Sequence, residues 1–231
     1  MGNKKRLTIL SGAGISAESG IATFRDSDGL WEGHDVMEVA SPVGWENNPE
    51  LVLDFYNQRR KAALKAQPNA AHLGIAGLEE HFEVTVVTQN VDDLHERAGS
   101  TNVLHLHGKL FESRSTTDPN LIYPIDGWEL NIGDHCEKGS QLRPNIVWFG
   151  EMVPMIEVAA RIAARSEIFV VVGTSLAVYP AASLIDYVDT DVPKYLIDPK
   201  IPMLNGHYNL TPIEERATVG IEKLKQYLGV A

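Results

Sequence analysis

The chain has one cysteine, Cys136, in 231 residues. A single thiol closes no disulfide within the chain and cannot supply a four-thiolate zinc site. Basic residues are scarce beside acidic ones: 20 Lys and Arg against 31 Asp and Glu leave a formal net charge of -11. Such a surface repels phosphate backbones, which argues against nucleic acid as a direct partner. It either attracts basic polypeptides or serves solubility alone. No apolar run is long enough to span a bilayer, and Met1–Arg6 lacks the apolar core of a secretory signal, so no membrane partner is expected. Internal repeats and low-complexity tracts are absent too. The expectation is a cytoplasmic monomer. Hydrophobic content of 44% with 22% charged residues suits a globular protein, and the length suits one compact domain with a small inserted lobe.

Short β-branched and aliphatic runs predict strands at 7–10, 83–88, 102–106, 145–149, 168–172 and 194–197. Most lack polar alternation, as parallel strands covered on both faces do. Amphipathic segments fall between them. Asn48-Pro49 reads as an N-cap with proline at the first helical position, opening a helix over 50–66. Asn69 opens a second, and further helices are expected over 155–165, 180–188 and 212–228. Strands alternating with helices predict an α/β fold, a Rossmann-like doubly wound parallel sheet. Residues 26–68 and 112–143 do not fit the alternation and are assigned to a smaller lobe formed by two insertions. The boundaries expected are about 1–30, 78–111 and 142–231 for the large lobe, with about 31–77 and 112–141 for the small one.

Several segments carry chemistry. Gly12-Ala13-Gly14-Ile15, following the first strand, either lets backbone amides approach a pyrophosphate or is a bare tight turn. Its third glycine comes late, at Gly20, so the dehydrogenase fingerprint is not met. Arg25, after Thr23 and Phe24, either clamps phosphate or pairs with Asp26 at the surface. Gln89, Asn90 and Asp92 follow a strand at its C-terminal end, where open α/β sheets bind ligands; a helix cap is the plainer reading of either Asn90 or Asp92. His105 and His107 share a strand face, yet no third metal ligand stands nearby. His107, just before Gly108, is the better placed general base, although a histidine there is often structural. Gly173-Thr174-Ser175 is a second strand-to-loop turn. Asp198, after another strand, suits ribose hydroxyls and favours NAD over NADP.

Taken together, residues 12–25, Gln89-Asn-Val-Asp92, Leu106-His-Gly108, Asn145-Ile-Val-Trp-Phe-Gly-Glu151 and Gly173-Thr-Ser-Leu176 resemble the sirtuins, NAD-dependent protein-lysine deacylases. The motifs stand in family order over nearly the whole chain, and in appearance the bacterial and mitochondrial members that remove acidic acyl groups are closest. The resemblance implies NAD as cofactor, acylated lysine side chains as substrate, and transfer of the acyl group to ADP-ribose with release of nicotinamide. It implies cofactor contacts from Ala13 to Arg25, with Phe24 near C1′ and Arg25 toward phosphate. Gln89, Asn90 and Asp92 would line the nicotinamide and ribose pocket, Gly173 to Ser175 would add contacts, and Ala217 would lie by the adenine. His107 would be the catalytic base, with Asn90 beside it. Val147, Trp148, Phe149, Gly150 and Glu151 would bind the substrate peptide and acyl-lysine.

Tyr56 and Arg59, at i and i+3 on a predicted helix, match the family's Tyr-x-x-Arg pattern for succinyl-, malonyl- or glutaryl-lysine. The plainer reading is a solvated cluster of Arg59, Arg60 and Lys61. One departure is large: the family's four-cysteine zinc module would fall in 112–141, where only Cys136 remains, with Ser113, Ser115 and Gly139 near the other thiolate positions. No zinc is expected. Apolar packing of Leu121, Ile122, Tyr123, Ile125, Trp128, Leu130 and Ile132 is expected in its stead. A second departure is Asp198, where the family usually has asparagine. The competing readings are mono-ADP-ribosyl transfer from NAD and a non-catalytic sensor of NAD or ADP-ribose.

Overall fold

The computed structural model describes residues 4–23, 30–31, 33–201 and 208–230. Its strands, in chain order, are β1 (Arg6–Ser11), β2 (Leu30–Trp31), β3 (His34–Asp35), β4 (Glu83–Thr88), β5 (Val103–His105), β6 (Gly108–Ser115), β7 (Ile122–Pro124), β8 (Leu142–Ile146), β9 (Ile168–Val172), β10 (Lys194–Ile197) and β11 (Leu210–Ile213). The α-helices are α1 (Val36–Val39), α2 (Pro42–Asn47), α3 (Pro49–Lys65), α4 (Ala70–Gly77), α5 (Leu94–Arg97), α6 (Ile156–Ala164) and α7 (Ala217–Leu228). Among the described residues no helix is long and apolar enough to cross a membrane.

Six strands form one parallel sheet in the order β11-β10-β9-β1-β4-β5. Period-two alternation divides its side chains between two cores. Leu7 and Ile9 of β1, with Val84, Val86, Val170 and Val172, pack under α4 and α7 through Ile75, Ile221 and Leu224. Leu10, Val87, Phe169 and Val171 pack on the other face against Ala159 and Ala163 of α6 and Leu184 and Ile185. The expected doubly wound α/β sheet is the observed one. The caps also form: Asn48 Oδ1 accepts from the Leu51 amide at 3.1 Å, with Pro49 opening α3, and Asn69 Oδ1 accepts from the Ala71 amide at 2.9 Å.

Four expectations need correction. The run at 145–149 is not a strand of the main sheet. β8 ends at Ile146 and belongs to a separate antiparallel sheet, β7-β6-β8. Gly108 turns the chain out of the parallel layer at φ +83, and a Cβ there would meet Asn145 O at 2.0 Å, so only glycine lets β6 lie this close to β8. The helix expected over 212–228 starts at Ala217, because Pro212 lies in edge strand β11, where a missing amide is tolerated. The segment expected as a helix over 180–188 is a 3-10 turn, Ala181–Tyr187. Finally, α4 packs against α7 on the main sheet rather than with the smaller lobe, through the apolar face of Ala71 and Ile75.

Beside the sheet, a third core gathers Val39, Val52, Phe55, Tyr56, Leu110, Ile146 and Trp148 from α1, α3 and the three-stranded sheet. The proposed apolar filling of 121–132 is not what holds that hairpin. Only Leu130 is buried, while Ile122 and Ile132 are 49% and 51% exposed. Polar groups hold it together. Cys136 Sγ donates to Ser115 Oγ at 3.4 Å, and that oxygen also accepts from the Thr117 and Asp118 amides. Thr117 Oγ1 and Ser140 Oγ share a hydrogen bond of 2.5 Å. The physical reason is topology: β7 is an edge strand of its small sheet, which leaves the residues around it little to pack on.

Arg60, on α3, ties that helix to β6 and to the loop at Trp128. It is fully buried and donates from Nε to Trp128 O at 2.8 Å, from Nη1 to Leu110 O at 3.2 Å, and from Nη2 to Asn57 Oδ1. Burial lowers its pKa to about 10, which leaves it a cation at neutral pH. Replacing Arg60 with Met should lower the unfolding free energy by about 3 kcal/mol, since several buried acceptors lose their donor. Urea denaturation measures this; a change below about 1 kcal/mol would remove Arg60 from that role.

Candidate active site

The C-terminal ends of β1, β4 and β9 open onto a cavity of about 260 Å³. Its floor is made by two turns docked backbone to backbone. The Gly12 amide donates to Val172 O at 3.0 Å, and the Gly14 amide to Gly173 O at 2.8 Å. A Cβ on Gly12 would meet Thr174 Cβ at 2.7 Å, and one on Gly14 would meet Gly173 Cα at 2.8 Å. The late third glycine is thereby explained: Gly12 and Gly14 are small so that one loop can lie on the other, and Gly20 ends the next turn at φ +84.

At the end of β4, Asn90 Nδ2 donates to Ser16 Oγ at 3.1 Å, and Ser16 Oγ donates to Asp92 Oδ2 at 3.2 Å. Asp92 Oδ1 accepts from the Leu94 amide at 3.2 Å, so Asp92 serves the start of α5 and the cavity wall together. Burial raises the Asp92 pKa, opposed by those two hydrogen bonds. Gln89 Nε2 donates to Thr174 Oγ1 at 3.2 Å across the cleft. Ser16 went unremarked in the sequence because a serine in a glycine-rich turn reads as turn chemistry.

His107 follows β5 and lines the same cavity. Its Nδ1 lies 3.0 Å from Gln89 O. A carbonyl oxygen only accepts, so the proton sits on Nδ1 and Nε2 carries the lone pair. Burial lowers the pKa of the ring, with the Gln89 carbonyl opposing, which keeps it neutral at pH 7. His105 is different: Nδ1 meets Asn90 O at 2.9 Å and Nε2 meets Glu96 Oε1 at 2.7 Å, both acceptors. It is a buried pin between β5 and α5. Among the described residues no group of three or more His, Cys, Asp or Glu could hold a metal ion.

Facing His107 is the segment from Val147 to Glu151. The Val147 amide donates to His107 O and the Phe149 amide to Ala40 O, both at 2.9 Å. Arg143 lies over the Trp148 ring, 3.3 Å from its centroid, and Trp148 Nε1 donates to Tyr56 Oη at 3.1 Å. Tyr56 and Arg59 reach the cavity from α3 and are buried, against the solvated-cluster reading. Burial pushes the Tyr56 phenol up to about 12. Glu151 lines the cavity, but its carboxylate is occupied by Arg114 at 3.0 Å, Arg143 at 2.8 Å and the Trp148 amide at 2.8 Å. Burial acts to raise its pKa, yet those bonds hold the carboxyl below the usual range.

Of the other expected site residues, Gly12, Ala13, Gly14, Thr23, Gly150, Gly173, Thr174 and Ser175 line the cavity. Ile15 does not: the 3-10 turn Ala13–Ile15 points its side chain into the core under α4. Asp198 is buried at the end of β10, with Oδ1 accepting from the Lys200 amide at 2.9 Å, and neither it nor Ala217 lines the cavity. Phe24 and Arg25 lie outside the described residues.

Residues 12–180 match the model of the Sir2 family. The chain is 55% identical over 222 residues to an NAD-dependent protein deacylase of Helicobacter pylori (strain ATCC 700392 / 26695), covering 95% of this chain and 96% of that one. It is 49% identical over 229 residues to an NAD-dependent protein deacylase of Bacteroides thetaiotaomicron, covering 97% and 98%. Among solved structures, a Sir2 homologue in complex with NAD superposes with a TM-score of 0.87 at 39% identity, over 98% of this chain and 90% of that one. A mutant Sir2 homologue in complex with ADP ribose gives 0.87 at 38%, over 99% and 95%.

The His107 geometry makes a prediction of its own. Ring NMR of the full chain should show a neutral Nδ1–H tautomer at pH 7 and a midpoint below 6.5. A midpoint above 7, or a proton on Nε2 in the neutral ring, would contradict the burial and the Gln89 hydrogen bond.

Proposed function

The chain belongs to the Sir2 family, and on that premise we propose that it is an NAD-dependent protein-lysine deacylase that prefers acyl groups ending in a carboxylate, succinyl and malonyl above all, over acetyl. The observation that carries the preference is the Tyr56–Arg59 pair, brought to the same cavity as His107.

The cavity wall fits a dinucleotide by its donor set. Ser16, Gln89, Asn90, Thr174 and Ser175 offer hydroxyls and carboxamides suited to ribose and a nicotinamide carboxamide, beside a loop contact that no side chain obstructs. These residues, with Gly12 to Gly14 and Asp92, would hold NAD. NAD supplies a nicotinamide leaving group and a ribose that receives the acyl group. His107 supplies the base: its Nε2 lone pair takes a proton from a hydroxyl, while the Gln89 carbonyl holds Nδ1–H and so stabilises the imidazolium that forms. Asn90 and Asp92, bonded through Ser16, hold polar groups on the wall of the same cavity.

At the acyl end, charge decides. Arg59, Arg60 and Arg143 act on the Tyr56 phenol, and Glu151 is the acid among its charged neighbours. Of these arginines, Arg59 lines the cavity beside Tyr56, and its positive charge there complements a carboxylate but gains nothing from a neutral acetyl group. Direction matters as well. Tyr56 Oη accepts from Trp148 Nε1–H, and with its pKa near 12 it keeps its own proton and donates it elsewhere. A phenol donor and the Arg59 guanidinium, one helical turn apart, match the acceptor-only chemistry of a carboxylate.

Replacing Arg59 with Met should lower kcat/KM for a succinyl-lysine peptide by about 10- to 100-fold, the worth of a charge-assisted hydrogen bond. Acetyl-lysine turnover should change little; equal loss of both activities would defeat the preference. Trp148→Phe, which removes the donor that orients Tyr56, should act in the same direction more weakly. Mass spectrometry should find acyl loss only with NAD present and none with His107→Ala. Because the base is active when neutral and burial lowers its pKa, the acidic limb of the wild-type rate profile should fall below pH 6.5.

A further inference from the structure

Behind the cavity wall, and untouched by the chemistry above, two histidines are buried together. His72 of α4 and His95 of α5 are 0% and 1% exposed, with ring centroids 5.0 Å apart at an interplanar angle of 67°. Their hydrogen bonds fix both tautomers. Ser11 Oγ–H donates to Thr88 Oγ1 at 2.9 Å, so toward His95 Nε2, also at 2.9 Å, that oxygen can only accept. The His95 proton is therefore on Nε2, and Nδ1 is a bare acceptor. On His72, Nδ1 accepts from the Asn69 amide at 3.3 Å, which places the proton on Nε2.

The two remaining nitrogens, His72 Nε2–H and His95 Nδ1, are both buried and both without a partner among the described residues. One is a donor and the other an acceptor, on rings in contact. Ser100 Oγ is a third buried, unpartnered group, on the turn whose amide donates to His95 O at 3.0 Å. Buried polar groups of this kind are satisfied in native proteins, commonly by a single bound water with two to four polar contacts. Burial holds His72 near a pKa of about 4 and His95 near about 3, so neither ring escapes by taking up a proton at neutral pH.

We propose that His72 and His95 bind one buried water between Nε2–H and Nδ1, and that this water anchors a hydrogen-bond chain running through His95, Ser11 and Thr88 to the Asn90 amide. The last link is the Asn90 N–H donating to Thr88 Oγ1 at 3.0 Å. Two donors converge on that oxygen, Ser11 from one side and Asn90 from the other, so the chain cannot pass a proton through to the cavity. Its work is positional: it holds the backbone at the end of β4, from which Gln89 O meets His107 and the Asn90 side chain meets Ser16. His95 is thus a positioning residue.

Two measurements on the full chain test this without relying on deacylase activity. Ring NMR and a high-resolution crystal structure of the wild type should give Nε2–H on both rings and an ordered water within hydrogen-bonding distance of both nitrogens. A direct ring-to-ring hydrogen bond, a proton on His72 Nδ1, or a dry contact would overturn the site. For the chain, His95→Gln keeps a donor at the Nε2 position and His95→Asn does not. The Asn90 amide resonance should stay near its wild-type position in the first and move in the second. Ser11→Ala, a smaller change at the same link, should move it as well and serves if the histidine variants do not fold. Equal displacement in His95→Gln and His95→Asn, or none in Ser11→Ala, would refute the positional role.

Discussion

Two backbone turns lie on one another at the top of the sheet, Gly12 to Gly14 on Val172 to Thr174, with amide-to-carbonyl bonds of 3.0 and 2.8 Å. The rest of the site is built out from that contact. It brings the ends of β1 and β9 close enough for Gln89 to reach Thr174 and for Ser16 to stand between Asn90 and Asp92. A methyl group at any of three glycines would part the turns, and at Gly173 it would also oppose a φ of +65. A phosphate-binding loop is usually explained by the room its glycines leave for a ligand. Here the glycines leave room first for each other.

The elements beside the main sheet obey a second constraint, satisfying polar groups that water does not reach. Arg60 reaches carbonyls of β6 and of the loop after β7, Asn57 pairs with both the amide and the carbonyl of Leu130, and hydroxyls gather around Cys136. Near Tyr56 the same requirement shapes chemistry. Glu151 holds two guanidiniums and the Trp148 amide, which sets the indole, which in turn sets the direction of the phenol. The direction of the phenol in the cavity therefore depends in part on Arg114 and Arg143, which do not line it.

Much of this is legible in the amino-acid sequence. Apolar runs gave the parallel strands, Asn48 and Asn69 announced their helices, and the motifs around Gly12, Gln89, His107 and Gly173 were already grouped as one site. What escaped had local signals that tertiary contacts overrode. Pro212 suggested a helix start but sits in an edge strand, and the 145–149 run looked like a buried parallel strand yet ends β8 in another sheet. The apolar residues of 121–132 looked like a core because hydrophobicity does not report whether a hairpin has anything to pack on. The contacts of Ser16 and Arg114 escape because their partners lie far away in sequence.

Gln89 faces two ways at once. Its main-chain carbonyl orients the imidazole of His107, while its side-chain amide reaches across the cleft to Thr174. Any residue at position 89 would present the same carbonyl to the histidine. Substitution there can therefore reshape the pocket while the base keeps its tautomer and its aim, so the fold separates what must stay constant from what is free to drift. The pocket wall can thus change at position 89 one side chain at a time, with the aim of the His107 imidazole held as a property of the backbone.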